Sequence, residues 1–164
     1  MKGTTIILII LAIVILLTIK TATTESEIKA ALRRVINDYG SDTARDLEKI
    51  YRLETANFTS GGFTKTFAPG MQAATKSYPF GWTSLENFWD IEGIRPDIVT
   101  MKENGTGNEV DFLRFATLQQ AFDTVAYWLQ SHLAPQWFST DASQQLTYMN
   151  KLNNIIASYT NSLV

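Results

Sequence analysis

Two kinds of patterning alternate along this chain, and their order restricts its architecture more than any single residue does. Residues Ile28, Ala31, Leu32, Val35, Ile36 and Tyr39 recur at helical spacing. Thr24-Glu25-Ser26-Glu27 ahead of them fits a capping box, and Gly40 fits a helix stop. A second helix starts at Ser41 or Asp42 and carries Leu47, Ile50, Tyr51 and Phe58 on one stripe. From Thr59 to Gly107 the pattern breaks. That stretch holds seven of the nine glycines, three of the four prolines and a dense set of aromatics, which predicts loops, short turns and a small hairpin. Helices then return. Thr117 with Gln120 caps one whose apolar face is Leu118, Ala121, Phe122, Val125, Trp128 and Leu129, and Pro135 closes it. Asp141 caps a last one, with Leu146, Met149, Leu152, Ile155, Ile156 and Tyr159 as its face. The expected fold is mainly α, of the α+β kind: a helical domain split by one loop-rich or small β insert, with a cleft between them.

The N-terminus carries a different signal. Between Thr4 and Ile19 the chain is almost wholly apolar, and Lys2 and Lys20 bracket the run. Its length gives roughly 25 Å of helix, near the lower limit for a membrane span. The rival is a cleavable signal peptide. Lys20 at −3 of a cut after Ala22, or Thr21 at −3 of a cut after Thr23, makes a poor processing site. We therefore expect residues 1–23 to be an uncleaved transmembrane anchor and residues 24–164 to form the folded domain. Basic residues lie on both sides of the span, so the charge rule does not orient it.

Composition narrows the chemistry. Fourteen basic against sixteen acidic side chains, with no basic stripe, argue against a nucleic-acid partner. There is no cysteine, so there is no disulfide, zinc–thiolate site or cysteine nucleophile. The single histidine, His132, excludes a multi-histidine metal site and is expected at a helix C-terminus, interacting with the dipole. No metal or other cofactor is implied. Gly61-Gly62 lacks the Lys-Ser/Thr pair of a phosphate cradle and reads as a turn. Asn57-Phe58-Thr59 and Asn104-Gly105-Thr106 match glycosylation sequons, a frequent chance match.

Glu54 is the residue that points to a reaction. It falls on the core-facing stripe, three residues after Tyr51 and four before Phe58. Burial disfavours its charged form and raises its pKa, which suits a general acid. The competing reading is a surface-edge residue, or a buried ion pair with Arg52 or Arg45.

These residues resemble the lysozyme-like superfamily of peptidoglycan glycosidases over residues 27–160. In that superfamily a glutamate at a helix end faces a cleft against a β-rich or loop-rich lobe. Lytic transglycosylases carry Glu-Ser, a nearby aromatic and a later Gly-Leu-Met-Gln type motif. Here Glu54-Thr55 precedes Phe58, and Gly70-Met71-Gln72 puts Gln72 at the matching spacing. Glucosaminidases carry Glu-Ser-x-Trp-Gly-x-Ser, of which Ser60 keeps the last position. The run from Phe112 to Thr117 resembles the segment that closes such domains. Thr55 replaces the usual Ser, and Asn57 stands where the aromatic is expected.

The resemblance implies a membrane-anchored enzyme that cuts the β-1,4 glycan strand of peptidoglycan with Glu54 as general acid, as a glucosaminidase or a lytic transglycosylase. Its partners would be glycan strands, a lipid bilayer through residues 4–20, and envelope or viral proteins. The catalytic domain would face the wall from a cellular or viral membrane. For sugar binding, Tyr78 and Trp82 in Tyr78-Pro79-Phe80-Gly81-Trp82 come first, then Trp89 and Asp90, with Phe63 beside them; local packing is the alternative. Ser60 and Gln72 would orient Glu54 or hydrogen-bond an N-acetyl group, or else cap loops. Glu86, Asp90, Glu92 and Asp111 are the candidates for a second carboxylate. The rival from another class is a non-catalytic glycan-binding or structural protein that keeps the domain and has lost the reaction.

Overall fold

The computed structural model describes residues 23–73, 83–103 and 106–164. The anchor expected over residues 1–23 falls outside them except for its last residue. Among the described residues no helix is long and apolar enough to cross a membrane.

The described residues are mainly helical, with one small sheet among them. Helix α1 (Glu25–Tyr39) starts at the expected capping box: the Thr24 N–H donates to Glu27 Oε2 at 2.7 Å, and the Glu27 N–H donates to Thr24 Oγ1 at 3.2 Å. It buries Ile28, Ala31, Leu32 and Val35. Gly40 adopts φ +93°, a left-handed value that glycine takes without steric cost, and the chain turns there directly into α2 (Ser41–Glu54). Helix α2 buries Ala44, Leu47, Ile50 and Tyr51 against α1 and against a later helix, α5 (Leu118–Leu129). Thr117 caps α5, accepting from the Gln120 N–H. Leu32, Val35, Leu47, Ile50, Phe122 and Val125 are almost completely shielded from water. Each contributes roughly 1.5–3 kcal/mol of apolar transfer free energy.

The described residues of the aromatic middle stretch hold more regular structure than its composition suggests. It contains α3 (Gly61–Thr66) and α4 (Thr83–Glu92) as well as a hairpin. Ser60 caps α3 by accepting from the Phe63 N–H, so Gly61-Gly62 form a first helical turn instead of a loop. Helix α4 rests on α5 through Leu85, Phe88 and Trp89, an i, i+3, i+4 set hidden among many other aromatics. The strands β1 (Asp97–Lys102) and β2 (Glu109–Arg114) pair antiparallel, with Thr100 opposite Asp111. Residues 71–73 line the other edge of β2: the Leu113 N–H donates to Met71 O and the Ala73 N–H to Asp111 O, both at 2.7 Å.

The C-terminal part also departs from its pattern. After a 3-10 turn (Ala134–Trp137), α6 (Ala142–Asn153) starts at Asp141 as expected, with Asp141 accepting from the Ser143 and Gln144 N–H groups. It stops at Asn153, and a separate short helix α7 follows (Ser158–Asn161). Of the expected face, Leu152 is buried and Ile155 and Tyr159 are half-buried, but Leu146, Met149 and Ile156 are exposed; Tyr148, not expected there, is buried. Packing against α2 and the 3-10 turn selects that second face.

Candidate active site

Helix α2 ends at Glu54 because the chain turns left-handed immediately beyond it. Ala56, Asn57 and Phe58 have φ of 49°, 58° and 67°. Such a run costs non-glycine residues on the order of 1–2 kcal/mol each. Local bonds and aromatic packing offset that cost. Thr55 Oγ1 accepts from the Phe58 N–H at 3.0 Å and donates to Tyr51 O; Thr55 O accepts from the N–H groups of Thr59 and Ser60. The turn brings the Phe58 ring back over Tyr51, stacked at 5.9 Å, and against Phe63 and Phe122. Phe58 is thus buried as expected, through a turn and not a continued helix. Thr55, where the lysozyme-like motif carries serine, braces this turn from a buried position.

Glu54 opens onto a cleft of about 1070 Å³. Residues 60–72, the hairpin, Trp137 and Phe138 complete its lining. Glu54 is exposed, so it stands at the solvent edge of α2 and not on the buried stripe expected from the sequence, where Glu48 stands instead; its carboxyl is nonetheless crowded by protein. That crowding holds its carboxyl above the usual glutamate value. Two groups pull it partly back: the Tyr148 hydroxyl, which donates to Glu54 Oε1 at 2.7 Å, and the charge of Lys151. Neither arginine considered from the sequence holds Glu54. Arg52 pairs with Glu48, and Arg45 with Asp42 and Asn161.

The candidate site residues separate into three groups. Glu54, Ser60, Phe63 and Gln72 line the cleft together. Ser60 does so as the cap of α3, and Gln72 Nε2 donates to Glu103 Oε1 at 3.0 Å. The Phe63 ring, 1% exposed, packs inward on Tyr51 and Phe58 and offers no face to a ligand. Trp89 and Asp90 lie elsewhere. Trp89 is a core residue whose indole N–H donates to Thr124 at 2.9 Å, because α4 turns it toward α5; Asp90 is exposed and pairs with Arg95. Tyr78 and Trp82 fall outside the described residues, as do Asn104 and Gly105 of one sequon. His132 stands just past α5, with Nδ1 3.0 Å from Trp128 O and its ring stacked on Trp128, at the helix C-terminus as expected.

None of Glu86, Asp90, Glu92 and Asp111 lines the cleft; Asp111 instead accepts from its cross-strand partner Thr100 at 2.6 Å. The carboxylates that do are Glu103 and Glu109, which flank the tip of the hairpin. A sequence signal pointed there: Asn104-Gly105 is a strong turn dipeptide, and the residues beside it flank a hairpin tip. Tyr148 and Phe138 had no comparable signal, since both are defined by how α6 docks. Among the described residues no group of histidines or carboxylates has the arrangement of a metal site.

Chemically, the cleft offers one carboxyl with a raised pKa, a phenol that donates to it, two further carboxylates, and polar groups from Ser60, Gln72, Lys65 and Lys102. No family model matches this chain, and no curated protein or solved structure does either.

Proposed function

We propose that this protein cleaves β-1,4 glycosidic bonds of peptidoglycan glycan strands, with Glu54 as the general acid, and that residues 4–20 tether it to a membrane so that the domain faces the wall. The observation that carries this reading is the placement of Glu54: a helix-end carboxyl in an open cleft, its pKa raised by crowding, hydrogen-bonded by a phenol. A glycosidic oxygen leaves readily only when protonated, and a raised pKa favours the proton-carrying form of the carboxyl. The lysozyme-like resemblance belongs to the same reading.

In this mechanism Glu54 gives its proton to the leaving oxygen as the C1–O bond breaks. The Tyr148 hydroxyl fixes the direction of the acidic oxygen and takes up the carboxylate that remains. The oxocarbenium-like sugar is then captured in one of three ways: by the 6-hydroxyl of the same muramic acid, by the substrate's own acetamido group, or by water with Glu103 or Glu109 as base. Gln72, bonded to Glu103, would set that carboxylate's orientation.

Digestion of purified peptidoglycan by the full-length chain, beside Glu54→Gln, tests the proposal. Anhydro-muropeptides that disappear in the variant identify a lytic transglycosylase. New reducing N-acetylglucosamine ends identify a glucosaminidase, and reducing N-acetylmuramic acid ends a muramidase. A folded wild-type protein that cuts none of several wall types overturns the enzymatic reading in favour of a glycan-binding or structural one.

A further inference from the structure

Phe138 is an exposed aromatic in a cleft with many polar groups. It leaves 54% of its surface open to solvent, directly after a 3-10 turn whose Ala134, Pro135 and Trp137 are all buried. Its ring lies parallel to that of Tyr148, 5.1 Å between centroids and 7° between planes. Tyr148 is itself 2% exposed and holds Glu54 through its hydroxyl. Phe138 therefore stacks on the phenol that orients the acid and also lines the cleft.

We propose that Phe138 is the stacking platform for a sugar ring bound next to the scissile bond, and so a specificity-determining residue of the cleft; this rests on the glycosidase reading above. A β-linked pyranose presents a face of axial C–H groups. Such a face fits a flat aromatic, while the hydroxyl and N-acetyl groups at its edge are left for polar residues such as Ser60 and Gln72. The stack has a second consequence. A sugar on Phe138 excludes water from the Tyr148–Glu54 pair, so that Glu54 is driven further toward its protonated form when substrate is in place. Binding and the readiness of the acid are thereby linked through one ring stack.

The test uses the full-length chain and a β-1,4 hexamer of N-acetylglucosamine as probe. Binding is measured by calorimetry in the Glu54→Gln background, and cleavage of peptidoglycan in the Glu54 background. Phe138→Ala is expected to weaken hexamer binding roughly tenfold and to raise KM more than it lowers kcat. Phe138→Trp restores a flat ring and is expected to stay within about threefold of the parent. The thermal midpoint of each variant shows whether it is folded. Folded Phe138→Ala binding the hexamer as tightly as the parent, while wild type cleaves peptidoglycan, overturns the platform and leaves the glycosidase reading standing. Equal loss in Phe138→Ala and Phe138→Trp also overturns it, because that pattern indicates displacement of Tyr148. A wild-type protein that neither binds the hexamer nor cuts peptidoglycan removes both.

Discussion

Glu48 and Glu54 stand on the same helix, six residues apart, and their surroundings differ in almost every respect. Glu48 is wholly buried, yet its carboxylate is satisfied: Arg52 Nε donates to Oε1 at 2.7 Å, the Tyr159 N–H to Oε1 at 3.0 Å, and the Thr160 N–H to Oε2 at 2.7 Å. It thereby ties α2 to the start of α7. Arg52 extends the tie, reaching Ser158 Oγ and Asn57 Oδ1 and lying over the Tyr159 ring at 4.3 Å. Glu54 is reached by solvent, takes its described hydrogen bond from one phenol, and has a raised pKa. The contrast teaches how to separate a structural carboxylate from a chemical one. Compensation by a cation and backbone donors makes a buried charge part of the fold. Crowding with a single orienting donor and an open cleft makes a proton available.

The comparison is sharpest when each carboxylate is removed. Glu54→Gln is expected to lower peptidoglycan cleavage by about a hundredfold to ten-thousandfold, the usual contribution of a general acid, in a digestion assay. The same substitution should leave the protein at least as stable at neutral pH. The raised pKa means that the folded state binds more protons than the unfolded chain between the ordinary glutamate value and the shifted one. Stability from this group is present at acid pH and is lost as pH rises through the folded value. A neutral glutamine does not titrate, so the urea midpoint of Glu54→Gln should fall less than that of wild type over this window. Glu48→Ala should do the reverse. It leaves Arg52 and two backbone N–H groups in buried or half-buried surroundings without their acceptor, and is expected to cost about 3–5 kcal/mol in denaturant unfolding. Equal stability losses in the two variants would break the distinction.

Tyr148→Phe addresses the orienting bond. The hydroxyl favours the carboxylate form of Glu54, so its removal raises the pKa further. The alkaline limb of the pH–rate profile should move to higher pH, while kcat falls because the acid is less well aimed. A limb that moves to lower pH contradicts the assignment. The smallest effect is expected at Ala56, exposed in the left-handed turn after Glu54 at φ 49°. Ala56→Gly removes the steric penalty of that φ and should stabilise by up to about 1 kcal/mol, a gain readable as a raised thermal midpoint.

Much of the helical frame was legible from local chemistry. The Thr24–Glu27 box, the Gly40 turn and the Thr117 cap are set by bonds within a few residues, and the faces of α1 and α5 have a clear 3.6-residue period. Helix α4 was obscured because aromatics filled both its buried face and the neighbouring segments. The last helix is only partly legible: Leu152 is buried as its spacing predicts, but Leu146, Met149 and Ile156 are exposed, and docking on α2 and the 3-10 turn decides that Tyr148 turns inward. Helical spacing from Tyr51 and Phe58 puts Glu54 on the core-facing stripe, but Phe58 lies in a turn beyond the helix, Glu54 is exposed, and the carboxylate on the buried face is Glu48. Glu48 drew no notice, since its donors at Tyr159 and Thr160 come from the far end of the chain.

By itself, then, the sequence determined what short-range forces determine: helix starts and stops, several core-facing stripes, and the excluded thiol and multi-histidine metal chemistries. Tertiary structure alone decided which side chains meet at the cleft. It brought Tyr148 and Phe138 to Glu54, set Glu103 and Glu109 beside the hairpin tip in the same cleft, and withdrew Trp89 and Phe63 into the core. The physical reason is distance along the chain. Ninety-four residues separate Glu54 from the phenol that holds it, and no local propensity or periodicity encodes a contact between segments that meet only when the core closes.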